Sequence, residues 1–331
     1  MAKRTIILTR QDIAEQVEAS AAVGAIEGAL GSYERGGDFL PPKAIYQLPL
    51  AEPEVAFGAT ITGFTEASGL LTMKMGQERT LNPARGLPTT VAWIMVFDPL
   101  TGELLMICDG TLPTMLRTAA AAAVGTKRLA REDARTLTVI GAGQLGRQCL
   151  RLVSGVRWFE NIYVHDGVAE HAERAAGELA SEVGAGIEVA DAETACRAAD
   201  VIVTATNSRE PIVMSQWVRD GTHLSCMGTD LHEKIECEMT LLPRCRIFAD
   251  KMEHAVERGE VSQAVKAGVL SEDCYAGSLG QVINGDVAGR TDEKQITMFD
   301  GVGIGIQDTV ICKTIYDQAV AKGLGVEVAF S

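Results

Sequence analysis

The chain has few features suited to holding a metal, crossing a membrane or gripping a polyanion. Its five histidines, at 165, 171, 223, 232 and 254, show no HExxH or other ligand spacing. His232 stands near Asp230 and Glu233, but in a short mixed loop that does not read as a zinc site. No metal is expected. Eight cysteines are scattered at 108, 149, 196, 226, 237, 245, 274 and 312, none in a CxxC pair and most inside apolar runs. They read as reduced, mostly buried thiols in a reducing compartment. The first residues lack the apolar core of a signal peptide, and no apolar run reaches spanning length without a charge. A cytoplasmic protein with no membrane partner is the expectation. Positive charge is also scarce: 30 Lys and Arg face 44 Asp and Glu, for a net charge of −14. Such a surface argues against nucleic acid as a partner. Any anionic ligand must then be held by a local cluster of cations.

What remains is ordinary globular composition, with 47% hydrophobic and 22% charged residues. A length of 331 residues suggests two domains, or one with a large elaboration. The most informative stretch is TLTVIGAGQLGRQCLRLV from Thr136. An apolar, strand-like run drops into Gly141, Gly143 and Gly146, and a helical pattern follows. This is the strand–turn–helix of a dinucleotide-binding βαβ unit. Gly141 permits the tight turn, Gly143 lets backbone reach a pyrophosphate, and Gly146 lets the helix lie close. The helix N-terminus offers free N–H groups and a positive dipole end. The next strand, NIYVHD, ends at Asp166, where an acid suits the ribose hydroxyls. Gly167, Val168, Ala169 and Glu170 follow without a cation, which favours NAD over NADP. The alternative is a plain βαβ turn with no nucleotide.

Residues 11–33 read as one amphipathic helix, ended by Gly36 and Gly37. Strand-like segments at 44–48, 59–63, 69–75, 91–98 and 104–108 then suggest an α+β domain. TAAAAAVGTKRL, at 118–129, reads as a slender helix that connects or packs two layers. Beyond it, strands at 136–140, 161–165, 186–189, 200–205, 222–226 and 246–249 alternate with helices such as 169–183 and 192–198. That alternation implies a doubly wound parallel sheet, so the fold class is α/β: a Rossmann sheet plus an α+β domain. A last helix at 308–322 is placed to fold back onto the first domain.

Several segments, in order and over nearly the whole chain, resemble the ornithine cyclodeaminase/mu-crystallin family. They are Gly86-Leu87-Pro88-Thr89, LRTAAAAAVGTKRLAR from Leu116, the GAGQLG turn, VTATNS from Val203, GTHLSCMGTDLHEKIE from Gly221 and ITMFDGVGIGIQD from Ile296. The resemblance implies an NAD(P)-dependent, usually homodimeric protein. Residues 1–118 with the C-terminal helix 308–331 would form the substrate-binding and dimerisation domain, and 119–307 the NAD-binding domain. Members include cyclodeaminases, alanine dehydrogenases, ketimine reductases and non-catalytic lens or hormone-binding proteins, so the substrate stays open.

Hydride transfer to or from an α-amino acid needs a clamped carboxylate, an α-carbon facing nicotinamide C4, and a proton moving at nitrogen. Arg117 opens the alanine helix, and its planar fork suits a carboxylate. Lys74, in LLTMKMG, interrupts the strand alternation and is either an outward edge residue or an inward functional cation. The resemblance puts Lys74 and Arg117 at the family's carboxylate-binding positions. Lys43 falls near a further family arginine; simple exposure is the other reading. Asp230 follows the strand at 222–226 and reads either as a turn residue or, by resemblance, as proton acceptor and donor at the substrate nitrogen.

Matching in the same way puts Gln144 and Leu145 over the phosphates, with Thr204, Thr206, Met227, Gly228 and Thr229 near the redox half. Thr89 and Lys234 also match positions near the cofactor, and Gly301 stands where cyclodeaminases often have serine. One departure matters. Cyclodeaminases carry a glutamate on the strand matching 59–63, but Ala59-Thr60-Ile61-Thr62-Gly63 has no acid. Glu52, Glu54 and Glu66 are not at matching positions. A buried distal ammonium would lack a partner. The expectation is therefore an NAD-dependent oxidoreductase acting on a small α-amino or imino acid. A cyclodeaminase-type ammonia lyase and a non-catalytic binding protein are the alternatives.

Overall fold

The computed structural model describes residues 4–14, 16–49, 56–79 and 81–330. The chain divides into two compact units, Met1–Arg117 with Ile304–Ser331, and Thr118–Gly303.

The first unit runs β1 (Thr5–Leu8), α1 (Arg10–Ile13), α2 (Ala19–Arg35), β2 (Ala44–Leu48), β3 (Ala56–Thr65), β4 (Leu70–Arg79), β5 (Thr90–Phe97) and β6 (Leu104–Asp109) into α3 (Thr111–Leu129). The unit boundary falls inside α3. The second unit continues with β7 (Thr136–Ile140), α4 (Gln144–Val156), β8 (Asn161–His165), α5 (Ala169–Val183), β9 (Ile187–Val189), α6 (Ala192–Ala198), β10 (Val201–Thr204) and β11 (His223–Cys226). Then come β12 (Cys245–Ala249), α7 (Met252–Arg258), α8 (Ser262–Lys266), β13 (Tyr275–Ser278), α9 (Leu279–Asn284) and β14 (Ile296–Asp300). The chain returns to the first unit as α10 (Gly305–Lys322) and β15 (Val326–Val328).

In the first unit a seven-stranded mixed sheet has the order β15-β1-β6-β5-β4-β3-β2. The single helix expected over 11–33 is two helices. A Thr9–Asp12 capping box closes the short α1 over the buried Ile13, and α2 starts only at Ala19. The alanine helix starts earlier than its composition implied. Asp109 accepts the Leu112 N–H at 3.2 Å, and Pro113 sits in the first turn, where its missing N–H costs nothing. Helix α10 packs on β3, β4 and α2.

Lys74 corrects a reading of pattern. Strand β4 is interior, paired with both β3 and β5, so its lysine is no edge residue. Leu70, Thr72 and Lys74 share the buried face, while Met73 and Met75 take the other. Lys74 therefore keeps the alternation and occupies a core position within it.

In the second unit an eight-stranded sheet, all parallel, has the order β13-β12-β14-β11-β10-β7-β8-β9. The order reverses between β7 and β10, which makes their C-terminal ends the switch point of a doubly wound sheet. Strands β13 and β14 were not expected. β14 is buried throughout, between β11 and β12, so it carries no polar alternation to signal a strand. The alanines 119–123 of α3 are buried, and a side chain at Gly125 would press on Phe299 of β14. Among the described residues no helix is long and apolar enough to cross a membrane. No group of three or more His, Cys, Asp or Glu among them is placed to hold a metal.

Candidate active site

In the second unit, β7 delivers the chain into the glycine turn. Gly141 has φ +98°, and a side chain there would meet the Ala205 carbonyl oxygen at 2.6 Å. A side chain at Gly146 would overlap the Gly141 carbonyl oxygen, so α4 lies directly on the turn. Gly143 is the N-cap of α4 and opens onto empty space, with Gln144 exposed and Leu145 half-buried beside it. An anion fits there, against N–H groups that no side chain caps. Asp166, at the end of β8, folds back on this turn. Its Oδ2 accepts the Ala142 N–H at 2.7 Å and its Oδ1 the Val168 N–H at 2.9 Å, with His171 Nδ1 at 3.4 Å. An open cradle with an acid beside it fits the pyrophosphate and ribose of a dinucleotide.

Across the switch point, the threonines singled out by the sequence face inward. Thr204 and Thr206 donate their hydroxyls to Glu236, and Thr229 donates to Glu260 at 2.6 Å. The Met227 N–H is taken by the Thr204 carbonyl at 2.9 Å and the Gly301 N–H by the Cys226 carbonyl at 3.0 Å. The hydroxyls of these threonines and the N–H groups of Met227 and Gly301 are therefore engaged within the protein. A side chain at Gly301 would run into Met227, whose thioether fills the space a serine would need. Glu236 and Glu260, both buried, escaped the sequence reading because nothing local distinguishes them from surface glutamates.

Asp230 follows β11 with its carboxylate half-exposed. It pairs with Lys234, four residues on, at 2.8 Å. Lys234 also donates to Asn207 Oδ1 at 3.1 Å. The sequence placed Lys234 near the cofactor; the structure brings it to Asp230.

In the first unit Lys74 is 2% exposed and Arg117 8%. Lys74 Nζ lies 2.9 and 2.8 Å from the two carboxylate oxygens of Asp308. Arg117 donates to Gln307 Oε1 at 3.2 Å, and its Nε lies 3.4 Å from Asp308 Oδ1. That buried Nε makes no hydrogen bond among the described residues. Asp308 reaches this point because Gly63 of β3 and Gly305 of α10 touch backbone to backbone, and either side chain would collide with the opposite chain. Thr309 locks the crossing by donating to the Gly63 carbonyl at 3.0 Å. Asp308 and Gln307 were missed as functional candidates. The one sequence signal was an acid set among apolar residues in the first turn of a helix.

One anion between two cations leaves the group with a positive surplus. An ammonium carries three donors, and Asp308 occupies at most two. Burial pushes the Lys74 ammonium down to about 8, with Arg117 and Lys43 adding repulsion against the attraction of Asp308. Lys43 is thus electrostatically close and half-buried. On the sheet, Lys74 sits opposite Ile61 on one side and Ile94 on the other. Ala59, Ile61 and Gly63 share that face of β3, so it carries no acid. Glu66 lies in the turn beside Asp38, and Glu52 and Glu54 lie outside the described residues. Thr89 is half-buried, with its carbonyl bonded to the Arg79 N–H at 2.9 Å.

Comparison with known proteins agrees over the whole length. Alanine dehydrogenase of Archaeoglobus fulgidus is 32% identical over 326 residues, covering 98% of each chain. Iminosuccinate reductase of Paracoccus denitrificans is 34% identical, covering 98% of this chain and 99% of its own. Among solved structures, Δ1-pyrroline-2-carboxylate reductase of Thermococcus litoralis, in complex with NADH and L-proline, superposes with a TM-score of 0.94 at 29% identity. That match covers 98% of this chain and 100% of the other. An archaeal alanine dehydrogenase dimer with bound NAD gives 0.93 at 31% identity, covering 99% and 100%. The model of the ornithine cyclodeaminase/mu-crystallin family matches residues 3–323, and the chain belongs to that family.

Proposed function

We propose that this protein is an NAD-dependent oxidoreductase acting on the C–N bond of a small α-amino or imino acid, reducing a ketimine to the amino acid or running in reverse. The buried Lys74–Asp308–Arg117 group carries the reading. A surplus positive charge held out of water is costly unless an anion completes it, and the carboxylate of an amino or imino acid is such an anion. The relatives named for imine and amino-acid redox chemistry share this fold over its full length.

NAD, when bound, supplies or accepts the hydride at nicotinamide C4. The glycine turn and Asp166 hold its pyrophosphate and adenosine ribose, and the acid at that position selects against a 2′-phosphate. Lys74 and Arg117 grip the substrate carboxylate, and Lys43 adds attraction. Asp230 holds and moves the proton at the substrate nitrogen, with Lys234 paired to its carboxylate. A neutral or short side chain suits the β3 face, where Ala59, Ile61 and Gly63 offer a distal ammonium no partner. That favours reduction over the ornithine-type ammonia-lyase alternative. The unit carrying the clamp is the dimerisation unit in this reading. The sheet face behind Lys74 exposes Met73, Met75 and Trp93, the last 54% exposed, and a second copy would cover it. The protein works in the cytoplasm.

The test is NADH oxidation by the purified protein, followed at 340 nm, with pyruvate plus ammonia and with a cyclic α-imino acid. Turnover with at least one is expected; silence across a broad imine panel refutes the reading. Asp230→Asn should lower kcat by about 10²–10⁴-fold while leaving NADH affinity within about threefold.

A further inference from the structure

The C-terminal ends of β10 and β11 are tied to each other by one side chain that takes no part in the clamp or the proton step. Glu236 is fully buried. Its Oε2 accepts the Thr204 hydroxyl at 2.6 Å and the Gly228 N–H at 3.0 Å; its Oε1 accepts the Thr206 N–H at 2.7 Å and the Thr206 hydroxyl at 2.9 Å. Each carboxylate oxygen thus takes one backbone N–H and one threonine hydroxyl. Glu236 is held in turn. Its own N–H donates to Glu260 Oε1 at 2.9 Å, and the Glu260 N–H donates to Asp300 Oδ1 at 3.0 Å. Tyr275 completes the series by donating to Asp300 Oδ2 at 2.7 Å.

In a doubly wound sheet the dinucleotide lies across the switch point, one nucleotide on each half. The glycine turn and Asp166 belong to the β7–β8 half. The ends of β10 and β11 belong to the other, which receives the redox ring. We propose that Glu236 is the positioning residue of that second half, fixing the spacing of the two strand ends on which the nicotinamide rests. The inference depends on the NAD reading given above. It extends that reading by assigning the support of the nicotinamide seat to a fully buried residue outside the clamp and the proton step.

The chemistry of glutamine makes this testable. A threonine hydroxyl can rotate to accept a hydrogen bond, but a backbone N–H cannot. Whichever way the amide of Glu236→Gln turns, its NH2 faces either the Gly228 or the Thr206 N–H. One strand end must then move. Affinity for NADH and for ADP-ribose, which lacks the redox ring, is measured for wild type and E236Q by calorimetry and by NADH fluorescence. NADH should bind about 10- to 100-fold more weakly to E236Q, with its bound-state emission shifted toward that of free NADH, while ADP-ribose stays within about twofold. Equal weakening of both ligands assigns Glu236 to general stability and overturns the proposal, as does unchanged NADH binding. If circular dichroism shows E236Q unfolded, Thr204→Val carries the same test. It removes one bond isosterically and should weaken NADH about threefold with ADP-ribose unchanged. Wild-type protein that fails to bind NADH would instead refute the cofactor reading itself.

Discussion

Lys74 provides a pH signature that separates a substrate clamp from a buried structural ion pair. Its ammonium, held at about 8 by burial, is about nine-tenths charged at pH 7 and about one-tenth charged at pH 9. If the charged form grips the substrate carboxylate, kcat/KM must fall about tenfold per pH unit above 8. A charge-assisted hydrogen bond of this kind contributes about 1.5–3 kcal/mol, so Lys74→Met should cost about 10- to 150-fold in kcat/KM at pH 7. The same variant should lose the alkaline limb, because nothing is left to titrate. Lys74→Arg keeps the charge and should move the limb out of the accessible range. Initial rates of NADH oxidation from pH 6 to 10 at constant ionic strength supply the data, and comparison with K74R cancels ionisation of the substrate. A limb above pH 8 that survives unchanged in both variants would refute the reasoning.

Stability has the opposite dependence. The folded lysine releases its proton at about 8 and the unfolded one near 10.5, so the folded state binds fewer protons between those values and gains stability as pH rises through that window. Below pH 8 burial, net of the attraction of Asp308 and the repulsion of Arg117 and Lys43, costs about 3 kcal/mol. K74M removes this cost but also takes one partner from Asp308, so melting temperature does not discriminate between the two roles.

Three further outcomes follow from other parts of the molecule. His223 lies between the hydroxyls of Thr297 and Ser225, and its pKa is lowered to about 3, chiefly by burial and further by Arg290 and Arg157. The unfolded chain takes up this proton near 6.5 and the folded chain does not, so stability falls as pH drops from 6.5 toward 3, by up to about 5 kcal/mol. In urea titrations His223→Asn should show a shallower loss over that range than wild type, and equal slopes would contradict the assignment. Asp166→Ser should lower the NADH-to-NADPH ratio of kcat/KM at least about tenfold by removing the acid at the ribose position; an unchanged ratio would place cofactor choice elsewhere. Gly146→Ala forces α4 off the Gly141 carbonyl and should weaken NADH and ADP-ribose alike by about tenfold or more, read by calorimetry. Wild-type affinity for both would show that the turn does not hold the cofactor.

The legible parts of this chain were those written in consecutive residues. The glycine turn, the acid ending the next strand and the β–α alternation after residue 134 all depend on backbone freedom and short-range periodicity, which a sequence displays directly. Buried parallel strands were harder. β14 is buried on both faces and β13 is short, so neither shows the alternation by which a strand is recognised. Lys74 looked like a break in a pattern because its face depends on which strands flank it. Interior pairing to β3 and β5 decides that, and neither partner is visible from LLTMKMG alone.

The family, the two-part α/β architecture and the stock of cations and acids available for chemistry can all be read along the chain. How those groups combine depends on which distant segments the fold brings together. Asp308 lies 234 residues from Lys74 and meets it because two glycines let a helix touch a strand. Glu236 joins the ends of two strands through contacts that no local spacing encodes. Electrostatic pairing and hydrogen bonding act over a few ångströms of space, and distance along the chain carries little information about them.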